Sequence, residues 1–372
     1  MTGKTVKYTD DHLEDSTASQ TAKYDPFVRG RFPVGVRTVH AFDAERNRTF
    51  PCEIWYPAAA RYTGQDLATQ TQDVFAVPPS NTPRTQLAVR DATALAGAYP
   101  LIVFSHHSGG NRRSATFLCT HLSSHGYVAA AMNHSEVVAQ ELARQEGETV
   151  EQKDRRWRAV IASRVPDVRF LLDRLLNGAG LEPEIRLDSH NIGIVGHSFG
   201  GWTALASPDE DRRIRAIVAL APGGATQIRP GVLPVTLSFN WGRDVPTLFL
   251  VAENDVPLPL TGMYEIFQRT RSTKRMVILR RADHLHFVDN VEQEHEAVRT
   301  TTWPAELGWI QREMRPIAEL CSGQQAQLFV RGLTLCHMDA ILRRREEAQR
   351  FLTGDIEAEL KAVGVEVVVY DR

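Results

Sequence analysis

The chain has 372 residues, of which 42% are hydrophobic and 24% are charged, and its formal net charge is −2. This composition is typical of a soluble globular protein with a large core, and it excludes disorder of the chain as a whole. The nearly balanced charge also excludes the global basic field that would hold nucleic acid or an anionic membrane.

The start of the chain and the cysteines indicate where the protein resides. Residues 1–30 are polar, and no apolar run in the sequence is long enough to cross a bilayer. The four cysteines (Cys52, Cys119, Cys321 and Cys336) show neither a CxxC spacing nor a zinc pattern. We therefore expect a cytoplasmic protein with reduced, mostly buried thiols, without a signal peptide and without stable insertion in a membrane.

The first elements in chain order are a tail and a hairpin. Residues 1–32 are expected to form a flexible tail, and residues 33–372 a single folded domain. Apolar and polar side chains alternate over 34–42 and 49–56 around a polar turn, which predicts two antiparallel strands. Residues 58–98, rich in Gln, Thr, Ala and Pro, are expected to form a long surface connection.

Beyond residue 100, short apolar runs alternate with helical patterns. The predicted strands are 101–104, 127–132, 191–195, 214–219, 247–252 and 275–279. The predicted helices are 114–125, one that begins near Asp167 and runs to 176, 202–207 and 259–271. This alternation is typical of an α/β fold in which a parallel sheet carries helices on both faces. Residues 140–158 are expected to form a solvated helix and are a candidate lid.

The stretch 196–201, Gly-His-Ser-Phe-Gly-Gly, carries the sharpest chemical signal. It fits the pattern G-x-S-x-G between a strand and a helix, where the chain turns sharply around a serine. Because Gly196 and Gly200 lack side chains, strand and helix can approach closely and leave Ser198 exposed at the carboxyl end of the sheet. We interpret Ser198 as a catalytic nucleophile; the alternative is a tight turn with an incidental serine.

A serine hydroxyl is a weak nucleophile unless a base removes its proton. In this strand–turn–helix setting the partners follow in the order Ser, acid, His. Asp255 comes after the predicted strand 247–252, and His284 comes after 275–279. Both positions share an edge of the sheet with Ser198, so we expect Asp255 to be the acid and His284 the base.

Neighbouring side chains compete for both roles. His286 is a rival of His284 for the base, although His284 lies nearer to the end of the strand. Glu253 and Asp283 are lesser rivals for the acid. For each rival the alternative is an ordinary loop residue in solvent.

An oxyanion hole needs two backbone N–H groups aimed at the developing charge. We expect one from Phe199, the residue after the nucleophile, and the other from Ser108 in the turn after the first parallel strand, with His107 as the second choice. The adjacent histidines His106 and His107 would point apart, and no carboxylate stands at a ligand spacing, so no metal is expected there.

Several other residues have a structural and a functional interpretation. His197 is expected to be structural beside the nucleophile, and His337 to be a hydrogen-bonded core histidine on the apolar face of a carboxyl-terminal helix. The candidates for lining a pocket, which are more often core residues at such spacings, are Trp157, Trp202, Trp241 and Met263.

Four stretches resemble the α/β-hydrolase superfamily, and within it the branch of platelet-activating-factor acetylhydrolases and dienelactone-hydrolase-like proteins. They are Val-Phe-Ser-His at 103–106, His-Gly-Tyr-Val-Ala-Ala-Ala at 125–131, the elbow at 195–201 and Asp-His-Leu-His-Phe-Val-Asp at 283–289. The resemblance covers residues 33–290. It implies an α/β-hydrolase fold with a mostly parallel eight-stranded sheet and a serine carboxylester hydrolase without cofactor. It assigns the nucleophile to Ser198, the base to His284 and one oxyanion amide to Phe199.

The sequence departs from that branch in two places. The mammalian platelet-activating-factor enzymes carry their acid just after the sixth strand, a position that corresponds here to Ala221. The acid must come from elsewhere, and Asp255 follows the seventh strand, where most other members of the superfamily keep it. Residues 291–323 have no counterpart and are expected as a covering insertion, and 324–372 as a carboxyl-terminal helix followed by an edge strand.

The expected function is hydrolysis of small-molecule esters with short-to-medium acyl groups, through an acyl-enzyme on Ser198. An acyltransferase or a thioesterase would use the same triad. A catalytically silent binding protein on the same fold is the alternative from another class. The sequence leaves open the acyl length, the alcohol part of the substrate and the oligomeric state.

Overall fold

The computed structural model describes residues 24–77 and 82–371, and a twisted α/β sheet organises that part of the chain. The strands are β1 (Val34–Asp43), β2 (Arg48–Pro57), β3 (Asp73–Ala76), β4 (Pro83–Gln86), β5 (Val89–Arg90), β6 (Gly97–Ser105), β7 (Val128–Met132), β8 (Ile185–His197), β9 (Ile214–Leu220), β10 (Thr247–Ala252), β11 (Lys274–Leu279) and β12 (Val367–Tyr370). Strands β3 and β4 pair with each other in a small separate sheet.

The main sheet has ten strands among the described residues, in the order β12-β11-β10-β9-β8-β6-β7-β2-β1-β5. Strands β6 to β11 pair in parallel, whereas β2 pairs antiparallel with both β1 and β7. This confirms the α/β-hydrolase fold and corrects the strand number, which we expected to be eight. One extra strand lies at each edge, because β5 adds two residues beside β1 and the carboxyl-terminal strand β12 pairs antiparallel with β11.

Ten helices lie in the described residues. They are α1 (Thr116–Ser124), α2 (Ser135–Val138), α3 (Val150–Leu176), α4 (Phe199–Glu210), α5 (Leu260–Arg269), α6 (Val291–Thr300), α7 (Gly308–Glu313), α8 (Gly323–Ile341), α9 (Glu346–Thr353) and α10 (Ile356–Ala362). None of them is both long and apolar enough to cross a membrane.

The core lies on both faces of the sheet. Alternate side chains of one strand enter opposite halves of it, so that Leu101 and Val103 of β6 join one cluster while Ile102 and Phe104 join the other. Helices α3, α4 and α5 cover the first cluster, and α1 and α8 cover the second. Continuous apolar strands are therefore the sequence signature of a sheet that is buried on both faces, as predicted.

The helix that we expected to begin near Asp167 begins much earlier, at the start of α3. Thr149 caps it in a reciprocal pair, in which its side chain accepts from the backbone of Gln152 and the side chain of Gln152 reaches back to Thr149. Part of the expected solvated helix 140–158 is therefore the first half of α3. The predicted start near Asp167 was wrong because the first half of α3 is polar and shows no apolar stripe, although it leads directly into the buried second half.

Most of the predicted flexible tail lies outside the described residues, but its last part, residues 24–32, is packed. Phe27 is 6% exposed and its ring meets that of Phe351 at 5.8 Å, while the Tyr24 hydroxyl donates to Asp339 at 3.1 Å. The expected boundary at residue 32 therefore differs from the structure. Two aromatic side chains find partners on the carboxyl-terminal helices, and a polar local pattern does not reveal such distant contacts.

The region 291–323, expected to be a covering insertion, consists of α6, α7 and three-residue helical turns. Its Trp309 donates from Nε1 to the carbonyl of Pro230 at 3.2 Å, and Ile310 and Met314 form a small cluster with Val256. The region thus lies against the loop that contains Asp255. Its action as a lid stays a prediction.

Candidate active site

Ser198 stands at the sharp turn between β8 and α4. Its backbone has φ 59° and ψ −116°, a strained conformation for a residue with a side chain. A Cβ on Gly196 would lie 2.0 Å from the carbonyl oxygen of Gly200, and one on Gly200 would lie 1.9 Å from that of Ser105. Both glycines are therefore required by the close approach of strand and helix. The turn is held by the amide of Ser198, which donates to the carbonyl of Leu220 at 2.8 Å.

The structure brings the three predicted side chains together at one edge of the sheet. His284 Nε2 lies 2.9 Å from Ser198 Oγ, and His284 Nδ1 lies 2.7 Å from Asp255 Oδ2. Asp255 is 5% exposed and its other oxygen accepts from the amide of Leu258 at 2.7 Å. The chain Asp–His–Ser is continuous and its acid end is buried, while the serine end remains partly accessible to solvent.

Electrostatics prepare His284 to accept a proton. Burial alone lowers the pKa of an imidazole, but the Asp255 carboxylate, through its charge and its hydrogen bond, outweighs this and raises the pKa of His284 above 6.5. The hydrogen bond also fixes the proton on Nδ1 in the neutral ring and leaves Nε2 free to accept from Ser198. This arrangement activates a serine nucleophile.

The rivals of Asp255 and His284 are engaged elsewhere. His286 is fully buried, and its Nε2 lies 3.1 Å from the carbonyl oxygen of Cys321. Asp283 accepts from the amides of His284 and Val256, at 2.5 and 3.2 Å. Burial and the neighbouring Asp255 carboxylate raise the pKa of Asp283. Glu253 pairs with Arg280 at 2.5 Å, and no serine contacts any of the three rivals among the described hydrogen bonds.

Two histidines with a structural interpretation have backbone partners. His197 is buried beside Ser198, and its Nε2 lies 2.9 Å from the carbonyl oxygen of His284. This contact links the elbow to the loop that carries the base. His337 in α8 has its Nε2 3.1 Å from the carbonyl oxygen of Pro246, and burial lowers its pKa to about 4.

The two residues expected to supply the oxyanion amides follow neighbouring parallel strands. Phe199 is the first residue of α4, where backbone N–H groups have no partner within the helix. Ser108 lies in the turn after β6, whose last residue, Ser105, is in register with Gly196 of β8. That turn closes through the amide of Gly110, which donates to the carbonyl of His107 at 3.0 Å. Both amides therefore stand next to the elbow, at the same edge of the sheet.

A second Ser–His–Asp chain lies behind that turn, and the sequence reasoning missed it. Ser105 Oγ is 2.9 Å from His134 Nε2, and His134 Nδ1 is 3.1 Å from Asp167 Oδ2. All three side chains are at most 1% exposed. A signal was present in α3, where Arg164 and Asp167 interrupt the apolar stripe of the helix, since charged residues in such a stripe are buried only with partners.

A cavity of about 740 Å³ opens beside the turn after β6. Ser108 and Gly109 belong to its wall, and Trp157 and Leu233 contribute apolar surface. Its charged lining residues are Arg112, Arg113, Glu136, Arg144, Glu148, Lys153, Arg156 and Glu306. A volume of this size suits a small-molecule substrate.

The other side chains proposed as pocket candidates do not line this cavity. Trp202, Trp241 and Met263 belong to the core, with at most 6% of their surface exposed. Within residues 24–77 and 82–371, no group of three or more His, Cys, Asp or Glu side chains is arranged to hold a metal ion. The four cysteines are buried and none is in a disulfide.

Comparison with known proteins gives matches to esterases. The sequence model of the family "platelet-activating factor acetylhydrolase, isoform II" matches residues 17–174. The platelet-activating factor acetylhydrolase of Cavia porcellus is 27% identical over an alignment of 219 residues, which covers 51% of this chain and 48% of that protein. Cutinase est1 of Thermobifida alba is 24% identical over 233 residues, or 62% of this chain and 67% of that protein.

A solved structure, a ferulic acid esterase from Streptomyces cinnamoneus, superposes with a TM-score of 0.62 at 25% identity, over 92% of this chain and 97% of that one. The strand order and the elbow give this chain the α/β-hydrolase fold, and the similar proteins named here are esterases. The matched residues span about half the length of the acetylhydrolases, 48% in the example given above.

Proposed function

We propose that this protein is a serine carboxylester hydrolase that acts on small-molecule esters with Ser198, His284 and Asp255 as its triad. The observation that carries the proposal is the continuous hydrogen-bonded chain of 2.9 and 2.7 Å through His284 at the carboxyl edge of the sheet. The names of its relatives, acetylhydrolase and esterase, support ester hydrolysis.

In the proposed mechanism, Ser198 Oγ attacks the ester carbonyl and its proton passes to His284 Nε2. The carbonyl oxygen becomes an oxyanion that accepts from the amides of Phe199 and Ser108. Asp255 holds Nδ1–H and stabilises the imidazolium without taking its proton. Collapse of the intermediate expels the alcohol, which receives the proton from His284. Water then repeats both steps on the acyl-enzyme and releases the acid.

The cavity of about 740 Å³ is a candidate site for a small substrate, since one of its walls contains the turn that offers an oxyanion amide, although Ser198, Asp255 and His284 are not among its lining residues. Its apolar side chains, Trp157, Leu142, Val160 and Leu233, suit a short-to-medium acyl or alcohol group. The proposed acid of this chain is Asp255, whereas the mammalian platelet-activating-factor enzymes carry theirs at the position of Ala221. This difference argues against transferring the substrate of those relatives to this chain.

The test is hydrolysis of p-nitrophenyl acetate, butyrate and octanoate by the wild type and by Ser198→Ala. We expect kcat to fall roughly 10⁵- to 10⁶-fold in the variant, since removal of a triad nucleophile leaves only background catalysis. Ser189→Ala, which changes an exposed serine on the same strand, is the control. A fluorophosphonate should label Ser198 in the wild type and in the control only.

Undiminished hydrolysis by purified Ser198→Ala would refute the proposal. Product analysis in the presence of an added alcohol separates hydrolysis from acyl transfer, because only a transferase would give the new ester as its main product.

A further inference from the structure

One arginine of α3 is entirely buried behind the candidate active site. Arg164 is 0% exposed, and its guanidinium pairs with Glu136 of α2. Its Nε has no hydrogen-bond partner among the described residues. Burial of such a cation is costly, and replacement of a whole buried ion pair by apolar side chains of similar volume is often neutral or stabilising, so stability alone is a poor explanation for the pair of Arg164 and Glu136.

The guanidinium holds the backbone of the turn after β6. Arg164 Nη1 donates to the carbonyl of His106 at 2.7 Å and to Ser105 Oγ at 3.3 Å, and Nη2 lies 3.5 Å from the carbonyl of His107. The carbonyl oxygen of His107 also has two other partners: His106 Nδ1 lies 2.7 Å from it, and the amide of Gly110 donates to it at 3.0 Å. The carbonyl of His106 has only Arg164 as a hydrogen-bond partner among the described contacts.

Those carbonyls determine where the amides of the turn point. In a planar trans peptide, the C=O of one residue and the N–H of the next are directed to opposite sides. Arg164 on the carbonyl of His106 therefore directs the N–H of His107 away from α3, and its contact with the carbonyl of His107 directs the N–H of Ser108 likewise. The oxyanion hole is expected to have two arms, one from the turn after β6 and one from Phe199. The amides of His107 and Ser108 are the two candidates for the first arm.

The same guanidinium contacts the other arm. Its carbon Cζ lies 4.2 Å from the centroid of the ring of Phe199, whose amide is the second expected donor. The Phe199 ring also stacks on Trp202, with centroids 5.4 Å apart and an interplanar angle of 21°. The side chain of Arg164 thus contacts the turn after β6 and the ring of Phe199, which are the two places expected to supply the oxyanion amides.

We propose that Arg164 is a positioning residue that aligns the two arms of the oxyanion hole, with Glu136 as its counter-ion. This inference rests on the proposed function. A planar guanidinium holds several donors in a fixed fork while its face stacks on a ring, whereas an ammonium is a compact point charge on a flexible stem, so lysine is not an equivalent replacement. The effect falls on stabilisation of the transition state, because the ester carbonyl in the ground state carries little charge.

The experiment compares Arg164→Met and Arg164→Lys with the wild type on p-nitrophenyl butyrate. We expect kcat to fall about 100-fold in the Met variant, in the range seen for loss of one oxyanion donor, and about 10-fold in the Lys variant, which keeps the charge, with KM changed less than about threefold in both. Affinity for a phenylboronic acid, which forms a tetrahedral adduct with the serine, should fall in parallel with kcat. Arg155→Met, which removes an exposed cation from the same helix, is the control.

Each outcome decides the question. A folded Arg164→Met with kcat and boronic acid affinity within threefold of the wild type would overturn the inference, as would an equal loss in Arg155→Met. If the Met variant does not fold, Arg164→Lys decides in the same way, because unchanged kcat there would show that no fork is needed. If Ser198→Ala is as active as the wild type, the proposed function fails instead; loss in Ser198→Ala with full activity in the Arg164 variants refutes only the role of Arg164.

Discussion

Two Ser–His–Asp chains lie at the ends of the adjacent strands β6 and β8, and their settings differ. At the rim of the sheet, Ser198, His284 and Asp255 are linked by contacts of 2.9 and 2.7 Å. Behind the neighbouring turn, Ser105, His134 and Asp167 are linked by contacts of 2.9 and 3.1 Å. Hydrogen-bond geometry alone therefore does not distinguish a nucleophile from a structural serine.

The local electrostatics and the backbone make the difference. Burial and the nearby Arg164 cation lower the pKa of His134 despite its Asp167 partner, whereas Asp255 raises the pKa of His284. Ser198 stands on a strained elbow and is partly exposed, but Ser105 is the last residue of a strand and is fully buried. A substrate can reach only the first chain, and the second is suited to holding the turn and α3 together.

Replacement of the two histidines should separate the chains most clearly. We expect His284→Gln to lower kcat roughly 10⁵-fold, because the serine loses its base, and to leave thermal unfolding nearly unchanged. His134→Gln should lower kcat less than about tenfold and destabilise the fold by about 1–3 kcal/mol, since a buried hydrogen bond is lost. Steady-state kinetics and thermal denaturation of both variants provide the measurement. Equal kcat losses would mean that the buried chain takes part in the chemistry.

The two carboxylates offer the next comparison. Asp255→Asn should reduce kcat about 10⁴-fold, because the amide favours the wrong tautomer of His284. Asp167→Asn should instead cost about 3 kcal/mol of stability, since Asp167 also accepts from the amide of Ser135 at 2.7 Å and pairs with Arg46. Chemical denaturation together with kcat separates the effects. A stable, inactive Asp167→Asn would contradict this division of roles.

The pH dependence should show a smaller effect, because the pKa values of the two histidines are shifted in opposite directions. The raised pKa of His284 means that kcat/KM falls as pH decreases through a value above 6.5, because the protonated ring cannot accept from Ser198. The lowered pKa of His134 means that its neutral form favours folding, so this stability is present above pH 6.5 and is lost as pH falls through the lower folded value.

The expected result is therefore a window around and just below pH 6.5 in which the protein is folded but has lost part of its activity. The measurement is kcat/KM and the unfolding midpoint in urea across the same buffers. If kcat/KM and the unfolding midpoint decline together with one apparent pKa, the loss of activity merely reports unfolding. In His134→Gln the stability curve should become flatter on the acid side, while the activity limb stays in place.

Much of the site was accessible from the sequence because its signals are local. A Cβ on Gly196 would lie 2.0 Å from the carbonyl oxygen of Gly200 within the same strand–turn–helix unit, and a Cβ on Gly200 would lie 1.9 Å from that of Ser105 on the adjacent strand, so the glycine pattern itself predicts the elbow. Asp255 and His284 follow recognisable apolar strands, and parallel strands bring their carboxyl ends to one edge. The local pattern does not separate His284 from His286, because both stand in one helical turn after β11.

Other features had no local signal. The edge strand β5 has two residues, too few for a pattern, and the start of α3 is polar, so its true beginning at the Thr149 cap was missed. Packing of residues 24–32 depends on partners more than 300 positions away, such as Asp339 for Tyr24. The number of strands in the main sheet and the position where the folded domain begins therefore depend on contacts that a local sequence pattern does not show.

The amino-acid sequence by itself determined the two-sided sheet, the elbow and the order of the candidate triad residues, because apolar strand runs and glycine sterics are readable from near neighbours in the chain. Only the tertiary structure decided that Asp255 rather than Asp283 faces His284, and that Arg164 and Asp167 support the turn after β6. The physical reason is that burial, charge and hydrogen bonding at these positions come from side chains on separate elements, which folding alone brings within 3 Å or so of each other.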